Sequence, residues 1–324
     1  MTGRKPNLFL IGAMKAGTTY LRKLLRSHPD IFMSDPDEPS YFVDQRDLKR
    51  LWPEMWSRGL WRGEQRYLRL FEPAGAAAVL GEASTNYAKR PLVAGVPERI
   101  HAFNPQARFI YLLRDPVQRT ISHYWHMVRH HAEYRPMLEA VRRDLQFVAV
   151  SHYAMQLTPF LERFGRDRVA VLTYETLVAD PVAAMRGLYQ WLEVDPAVAD
   201  PSGFAEPENV APQIVSMPLW GGFPRRLRQS LANGVILRYV PAMVHTTLHR
   251  ITTRDVDRHS VDVTATVDYL RPVQRRQTDE LVRLLGRGFP EWTTLYGESR
   301  AVLRPGGSRA AAYRLPGAAH PSDQ

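Results

Sequence analysis

The sequence predicts an α/β protein with a P-loop-like central parallel β-sheet flanked by helices on both faces. Short apolar runs at residues 8–11, 79–80, 108–113 and 168–173 each pass into a polar loop and then into a helical pattern. Strands that are apolar on both faces belong inside a parallel sheet. The repeated order of strand, loop and helix then calls for crossover connections, with ligand loops at the carboxyl ends of the strands. At 324 residues and 44% hydrophobic, the chain can bury one large core, and residues 1–300 are expected to form a single domain.

The first element is the most informative. In NLFLIGAMKAGTT, residues 7–19, a short apolar run meets a glycine-bracketed loop, and Tyr20, Leu21, Leu24 and Leu25 follow at helical spacing. A strand, a turn and a helix N-terminus gather free backbone N–H groups and the positive end of a helix dipole around one point, which suits phosphate. Gly12 and Gly17 frame four residues as in a P-loop, but the lysine lies inside the loop at Lys15, and Thr18 follows the second glycine. A nucleoside triphosphatase needs lysine there, followed by a serine or threonine that holds magnesium. Taken alone, the loop reads more readily as an ordinary strand-to-helix turn.

Residues 27–30 (SHPD) end the first helix, because proline disfavours helix in the residue before it. A short apolar piece at 31–33 leads into a proline-punctuated loop, SDPDEPSYF, which sets Glu38 ahead of two aromatics. Residues 46–75 are dense in tryptophan and arginine. Trp52, Trp56 and Tyr67 suit either a cleft for a flat ligand or, the favoured reading, a small helical layer packed on the core. Residues 81–87 (GEASTNY) are small and polar, as the end of a strand lining a crevice requires.

The run RFIYLL at 108–113 is the clearest strand, and Arg114, Asp115 and Pro116 follow it. Asp115 suits an N-cap and Pro116 a first helical turn. On that helix Ser122 and His126 are four apart and share a face, which Arg119 is placed to join. Helices are expected at 154–164, 181–192 and 271–285. From 195 to about 263 the pattern weakens into loop and a basic stretch with Arg225, Arg226 and Arg228. Residues 301–324, rich in glycine, proline and alanine, read as a flexible tail.

Composition narrows the function classes. The chain has no cysteine, which removes disulfide scaffolds, thiolate zinc sites and a cysteine nucleophile. Its eleven histidines lack metal-ligand spacing, so no metal site is expected. No run of eighteen apolar residues occurs; the stretch at 234–244 is broken by Arg238 and Pro241. The first apolar run is too short for a signal peptide, and the expected location is cytoplasmic. A net charge of +10 fits an anionic ligand, nucleic acid or a membrane surface. No nucleic-acid-binding signature accompanies it, and none is expected as a partner.

Read together, AMKAGTT at 13–19, GEASTNY at 81–87 and RDPVQRTISHYWH at 114–126 resemble the sulfotransferases that use 3′-phosphoadenosine 5′-phosphosulfate, PAPS. The likeness is greatest to the branch holding bacterial enzymes and the Golgi heparan sulfate sulfotransferases, and it spans roughly residues 7 to 195. The resemblance implies that loop 11–19 holds the 5′-phosphosulfate through the backbone of Lys15, Ala16, Gly17, Thr18 and Thr19 and the two threonine hydroxyls. Lys15 then stabilises the leaving group and Glu38 acts as general base. Segment 113–126 supplies Arg114 and Ser122 to the 3′-phosphate, a role that guanidinium and hydroxyl donors suit. His126 matches a histidine near the reaction centre in some relatives, where it either assists Glu38, stabilises leaving-group charge or packs the helix.

The sequence departs from the family at three places. Asp37 stands where a lysine commonly precedes the base, Ala83 replaces a lysine after Glu82, and Asn209 followed by Gln213 stands where relatives carry an asparagine-to-arginine run in a loop over the donor. The segment VLTYETLVADP matches a structural strand, and Tyr153 is a weak contact candidate for the adenine or the acceptor. The expected activity is transfer of a sulfuryl group from PAPS to a hydroxyl or amine of a carbohydrate or small natural-product acceptor, leaving 3′-phosphoadenosine 5′-phosphate, PAP. Two rivals are a P-loop kinase, disfavoured by the displaced lysine, and a non-catalytic basic polyanion-binding protein on the same fold.

Overall fold

The structure, a computed structural model, describes residues 4–130, 133–198, 212–218 and 253–297. Five strands form one parallel sheet: β1 (Leu8–Gly12), β2 (Ile31–Met33), β3 (Val79–Ala83), β4 (Arg108–Leu113) and β5 (Val169–Thr173), in the order β2-β3-β1-β4-β5. Every residue of β1, β3 and β5 is buried, and only Arg108 of β4 is not. That burial accounts for their unbroken apolar runs. The piece at 31–33 is the edge strand, too short to read from periodicity, with Ile31 opposite Val79 and Met33 opposite Gly81.

Among the described residues six helices run to eight residues or more: α1 (Thr18–Arg26), α2 (Val96–Phe103), α3 (Pro116–Arg129), α4 (Tyr153–Phe164), α5 (Pro181–Leu192) and α6 (Thr264–Leu285). α2, α4 and α6 pack with one another through α4. The end of α1 meets α5 where Tyr189 donates to the Leu24 carbonyl at 3.1 Å and packs its ring against His28. α6 begins seven residues before the apolar pattern predicted and carries Pro272 inside it. Five strands flanked by helices match the predicted class. Most other predicted boundaries hold within a residue: α4 takes in Tyr153, and Arg168 belongs to a 3-10 turn rather than to β5, whereas β3 runs three residues past Leu80, through Ala83.

Residues 46–75 form short helices, as the packing alternative expected. Tyr67 is fully buried and stacks on Tyr41, and Trp56 stacks on Trp61. A separate antiparallel pair, β6 (Ile214–Pro218) and β7 (Thr253–Asp257), packs on α3. Arg225, Arg226, Arg228, Asn209, the stretch 234–244 and the tail 301–324 lie outside the described residues. Within them no helix is long and apolar enough to cross a membrane.

Sheet order positions the site. β1 lies between β3 and β4, and the chain runs to opposite sides of β1 after it leaves that strand. At such a switch point the loops after neighbouring strands diverge and leave a crevice. Here the loops following β1, β3 and β4 all open onto it.

Candidate active site

One cavity of about 830 Å³ lies at this crevice, within the size range of small-molecule sites. Lys15, Gly17, Thr18, Thr19, Glu38, Arg114, Ser122 and His126 all line it. Ala16 is fully buried behind the loop and, contrary to expectation, its backbone N–H is already engaged, donating to the Ala13 carbonyl at 3.0 Å.

The loop after β1 has the geometry of an anion cradle. Gly17 sits at φ 95° as N-cap of α1, without a side-chain cap. The backbone N–H groups of Gly17, Thr18 and Thr19 find no acceptor within the described protein, so they are available to a bound anion. A methyl group at Gly17 would lie 2.6 Å from the Tyr174 ring, which closes the loop from the other side. Lys15 adopts φ 69°, a left-handed conformation costing a non-glycine residue about 1–2 kcal/mol. Burial pushes its ammonium pKa down, and Arg114, Arg129, Arg258 and Arg119 push it further the same way. A cation crowded by cations is stabilised by an anion among them.

Glu38 also sits in the left-handed region, at φ 54°. Its backbone N–H donates to the Ala83 carbonyl at 2.9 Å, and its carboxylate accepts from the Thr85 hydroxyl at 2.6 Å and the Asn86 N–H at 3.4 Å. The loop after β3 therefore aims the Glu38 side chain into the cavity. Asp37, found where relatives carry lysine, points elsewhere: Arg22 of α1 binds Asp37 at 2.7 Å, Asp35 at 2.5 Å and the Ser34 carbonyl at 2.5 Å. The departure ties the Glu38 loop to the helix that forms the phosphate cradle.

On the third loop, Asp115 caps α3 as expected, accepting from Val117 at 2.9 Å and Gln118 at 3.2 Å. Arg114 donates to the Lys15 carbonyl at 3.2 Å and lies over the Tyr174 ring at 5.0 Å. Ser122 and His126 face the cavity together. Arg119 does not join them. It is fully buried and donates to the Phe147 carbonyl at 2.6 Å, the Met14 carbonyl at 3.4 Å and the Ser151 hydroxyl, so it braces the cradle from behind. Tyr153 is likewise buried, with its hydroxyl donating to the Arg114 carbonyl at 2.7 Å, and it is not among the cavity-lining residues. Burial, then Lys15 and His130, push the His126 pKa down to about 3. At neutral pH its imidazole is uncharged, which leaves it hydrogen bonding rather than a fixed positive charge.

Sequence reasoning missed three contributors. Lys89 is buried against the cavity, donates to Asn86 Oδ1 at 2.6 Å and lies 4.7 Å over the Trp52 ring. Its pKa falls to about 8, chiefly through burial, while the Glu38 charge acts in the opposite sense. It enters the pocket six residues after Ala83, where the family lysine is missing, and only the fold shows that the turn brings it back. Tyr174 belongs to the segment expected to be merely structural, yet it walls the donor end. Arg258 follows β7, with its backbone N–H on the Gln213 carbonyl at 3.0 Å, and lines the cavity beside Arg114.

An α/β fold whose cationic β1 loop shares a cavity with a carboxylate suits a group transferase, and comparison with known proteins gives the family. The profile of the sulfotransferase family matches residues 6–200. The chain belongs to that family, the PAPS-dependent enzymes its motifs resemble. Heparan sulfate glucosamine 3-O-sulfotransferase 3B1 of Mus musculus is 26% identical over 205 residues, covering 60% of this chain and 48% of its own length. The bifunctional heparan sulfate N-deacetylase/N-sulfotransferase 1 of Caenorhabditis elegans is 24% identical over 206 residues, covering 58% and 22%. The chain thus spans less than half the length of either relative. A sulfotransferase crystal structure from Alicyclobacillus acidocaldarius superposes with a TM-score of 0.63 at 24% identity, covering 89% of this chain and 99% of that one, which supports the fold.

Proposed function

We propose that the protein transfers a sulfuryl group from PAPS to a hydroxyl or amine of an acceptor, with Glu38 as general base and Lys15 stabilising the leaving group. The observation that carries this reading is the convergence of Lys15, Glu38, Arg114 and Ser122 on one cavity from three loops and helix α3. The donor fits the residues present: an uncapped helix start, N–H groups with no protein acceptor among the described residues and a crowded lysine all suit an anion.

When bound, PAPS supplies an activated sulfuryl group and leaves as PAP. The N–H groups of Gly17, Thr18 and Thr19 and the threonine hydroxyls hold its 5′-phosphate end. Arg114 and Ser122, with Arg258 beside them, hold the 3′-phosphate and so distinguish the donor from ATP. Lys15 places its ammonium where negative charge develops, and such preorganised charge requires no rearrangement at the moment of reaction. Glu38 accepts the acceptor proton at its carboxylate, which Thr85 and Asn86 hold in place. Lys89 places a positive charge near that carboxylate. His126 supplies a neutral hydrogen-bonding group. No magnesium step is invoked, since Thr18 stands where a metal-dependent P-loop places its lysine.

Calorimetric titration tests the donor assignment. PAP should bind without magnesium, and Arg114→Ala should weaken PAP by about tenfold or more while leaving AMP nearly unchanged, since it removes a charged contact to the 3′-phosphate only. Equal losses for both nucleotides would misplace the 3′-phosphate site.

A further inference from the structure

The cavity is electrically divided. Its donor half is cationic, with Lys15, Arg22, Lys23, Arg26, Arg114 and Arg258 beside the cradle N–H groups. Its other half surrounds Glu38 and the Thr85 and Asn86 that hold it, and the further lining residues there include Trp52, Glu54, Met55, Lys89, Ile121 and His126. Trp52, Met55 and Ile121 are half-buried and apolar, with part of each surface left open to a ligand. His126 is neutral because its pKa falls to about 3. The one ammonium among these six, Lys89, lies under the charges of both Glu38 and Glu54. Glu54 is exposed, on the short helix Pro53–Ser57 at the cavity's edge, and its charge also reaches His130. Two carboxylates against one ammonium leave the described residues of the acceptor half with no net positive charge, despite the chain's net charge of +10.

Resting on the sulfotransferase reading, we propose that the acceptor is an uncharged, hydroxyl-bearing ring compound whose flat face lies on Trp52, and that Glu54 excludes anionic acceptors. The cationic surface serves the donor. An anionic sugar or carboxylated aromatic entering beside Trp52 would meet Glu54 and Glu38 with no guanidinium among the described residues named for that half to pair with, and like charge brought together discriminates against the wrong ligand. A ring with a polar edge and an apolar face gains from burial on Trp52, Met55 and Ile121 and presents its hydroxyl to Glu38.

Two matched pairs test this: 2-naphthol against 6-hydroxy-2-naphthoate, and methyl glucoside against methyl glucuronoside. Each compound is titrated into the PAP-loaded full-length protein and assayed for sulfate transfer from PAPS. The uncharged member should bind and react at least about tenfold better in the pair that is accepted, the phenol pair reporting an aromatic acceptor and the glycoside pair a sugar. Glu54→Lys should shrink or invert that ratio by about tenfold with PAP affinity unchanged, and Trp52→Ala should raise the acceptor KM more than it lowers kcat. Binding of the charged member as tightly as its uncharged partner would overturn the proposal. So would failure of all four compounds to bind a protein that does bind PAP. Loss of PAP binding itself would instead strike the donor site and the reading on which the proposal rests.

Discussion

Replacing Lys89 with methionine separates stability from catalysis. In the folded protein its pKa drops from 10.5 to about 8 because the ammonium is buried. At 1.36 kcal/mol per tenfold, holding that charge inside costs about 3 kcal/mol at neutral pH, an order-of-magnitude figure. Methionine removes the cost and keeps most of the volume, but strands Asn86 Oδ1, which loses its 2.6 Å partner; an unsatisfied buried acceptor gives back about 1–3 kcal/mol. The melting temperature of Lys89→Met at pH 7 should therefore match or exceed that of the unaltered protein. The sign with pH follows from linkage. Between pH 8 and 10.5 the unfolded chain holds a proton on Lys89 that the folded chain has lost, so the unaltered protein gains stability from this group as pH rises through that window. The advantage of Lys89→Met should vanish by about pH 10.5. Sulfate transfer by the variant should fall about 10- to 100-fold, the scale for losing a preorganised charge beside the reacting atoms. Lys89→Arg, which stays protonated, should keep activity at alkaline pH where the unaltered enzyme declines. Thermal melts and pH profiles of kcat/KM read both effects. A variant that melts several degrees lower at pH 7 yet transfers sulfate normally would refute the reasoning, since it would make Lys89 a structural residue.

Two further substitutions probe the frame around the site. Glu82 is fully buried between the Tyr87 and Tyr67 side chains, and burial raises its pKa to about 8. Its stability is intact below the unfolded carboxyl pKa near 4.5 and is lost as pH rises toward 8, so Glu82→Gln should flatten the decline in melting temperature between pH 5 and 8.5; an unchanged slope would mean another group causes it. Gly17→Ala should weaken PAP by at least about tenfold, because the left-handed conformation costs alanine about 1–2 kcal/mol and its methyl displaces Tyr174, on which Arg114 rests. PAP affinity equal to that of the unaltered protein, measured by calorimetry, would show that the loop does not contact the 5′-phosphate.

The fold was legible because its strands are buried on both faces. RFIYLL and LFLIG carry no polar residue on any interior position, and each is punctuated by glycine or by Asp-Pro. The edge strand Ile31–Met33 was harder to see, since three residues cannot show a period. The loops that hold Lys15, Glu38, Arg114 and Ser122 were visible as motifs, and the fold gathers all four on one cavity. Helical spacing placed Arg119 beside Ser122, but it could not say which part of the face meets solvent; a guanidinium three residues earlier turned inward to bind Phe147 and Met14. Lys89, Tyr174 and Arg258 were not legible. They reach the cavity from a 3-10 turn, the residue after β5 and the residue after β7, positions brought together only by tertiary structure. Asp37 read in the sequence as a departure from the family pattern, whereas its partner Arg22 makes it an anchor for the Glu38 loop.

The central claim is that Lys15 and Glu38 act on the same transferred group. Single-turnover transfer of labelled sulfate from PAPS, measured for Lys15→Ala and Glu38→Gln beside PAP affinity and circular dichroism, tests it most directly. Both variants should keep the fold, and Glu38→Gln should keep PAP affinity, while each loses about 100-fold or more in rate. Near-normal rates in either folded variant would contradict the account.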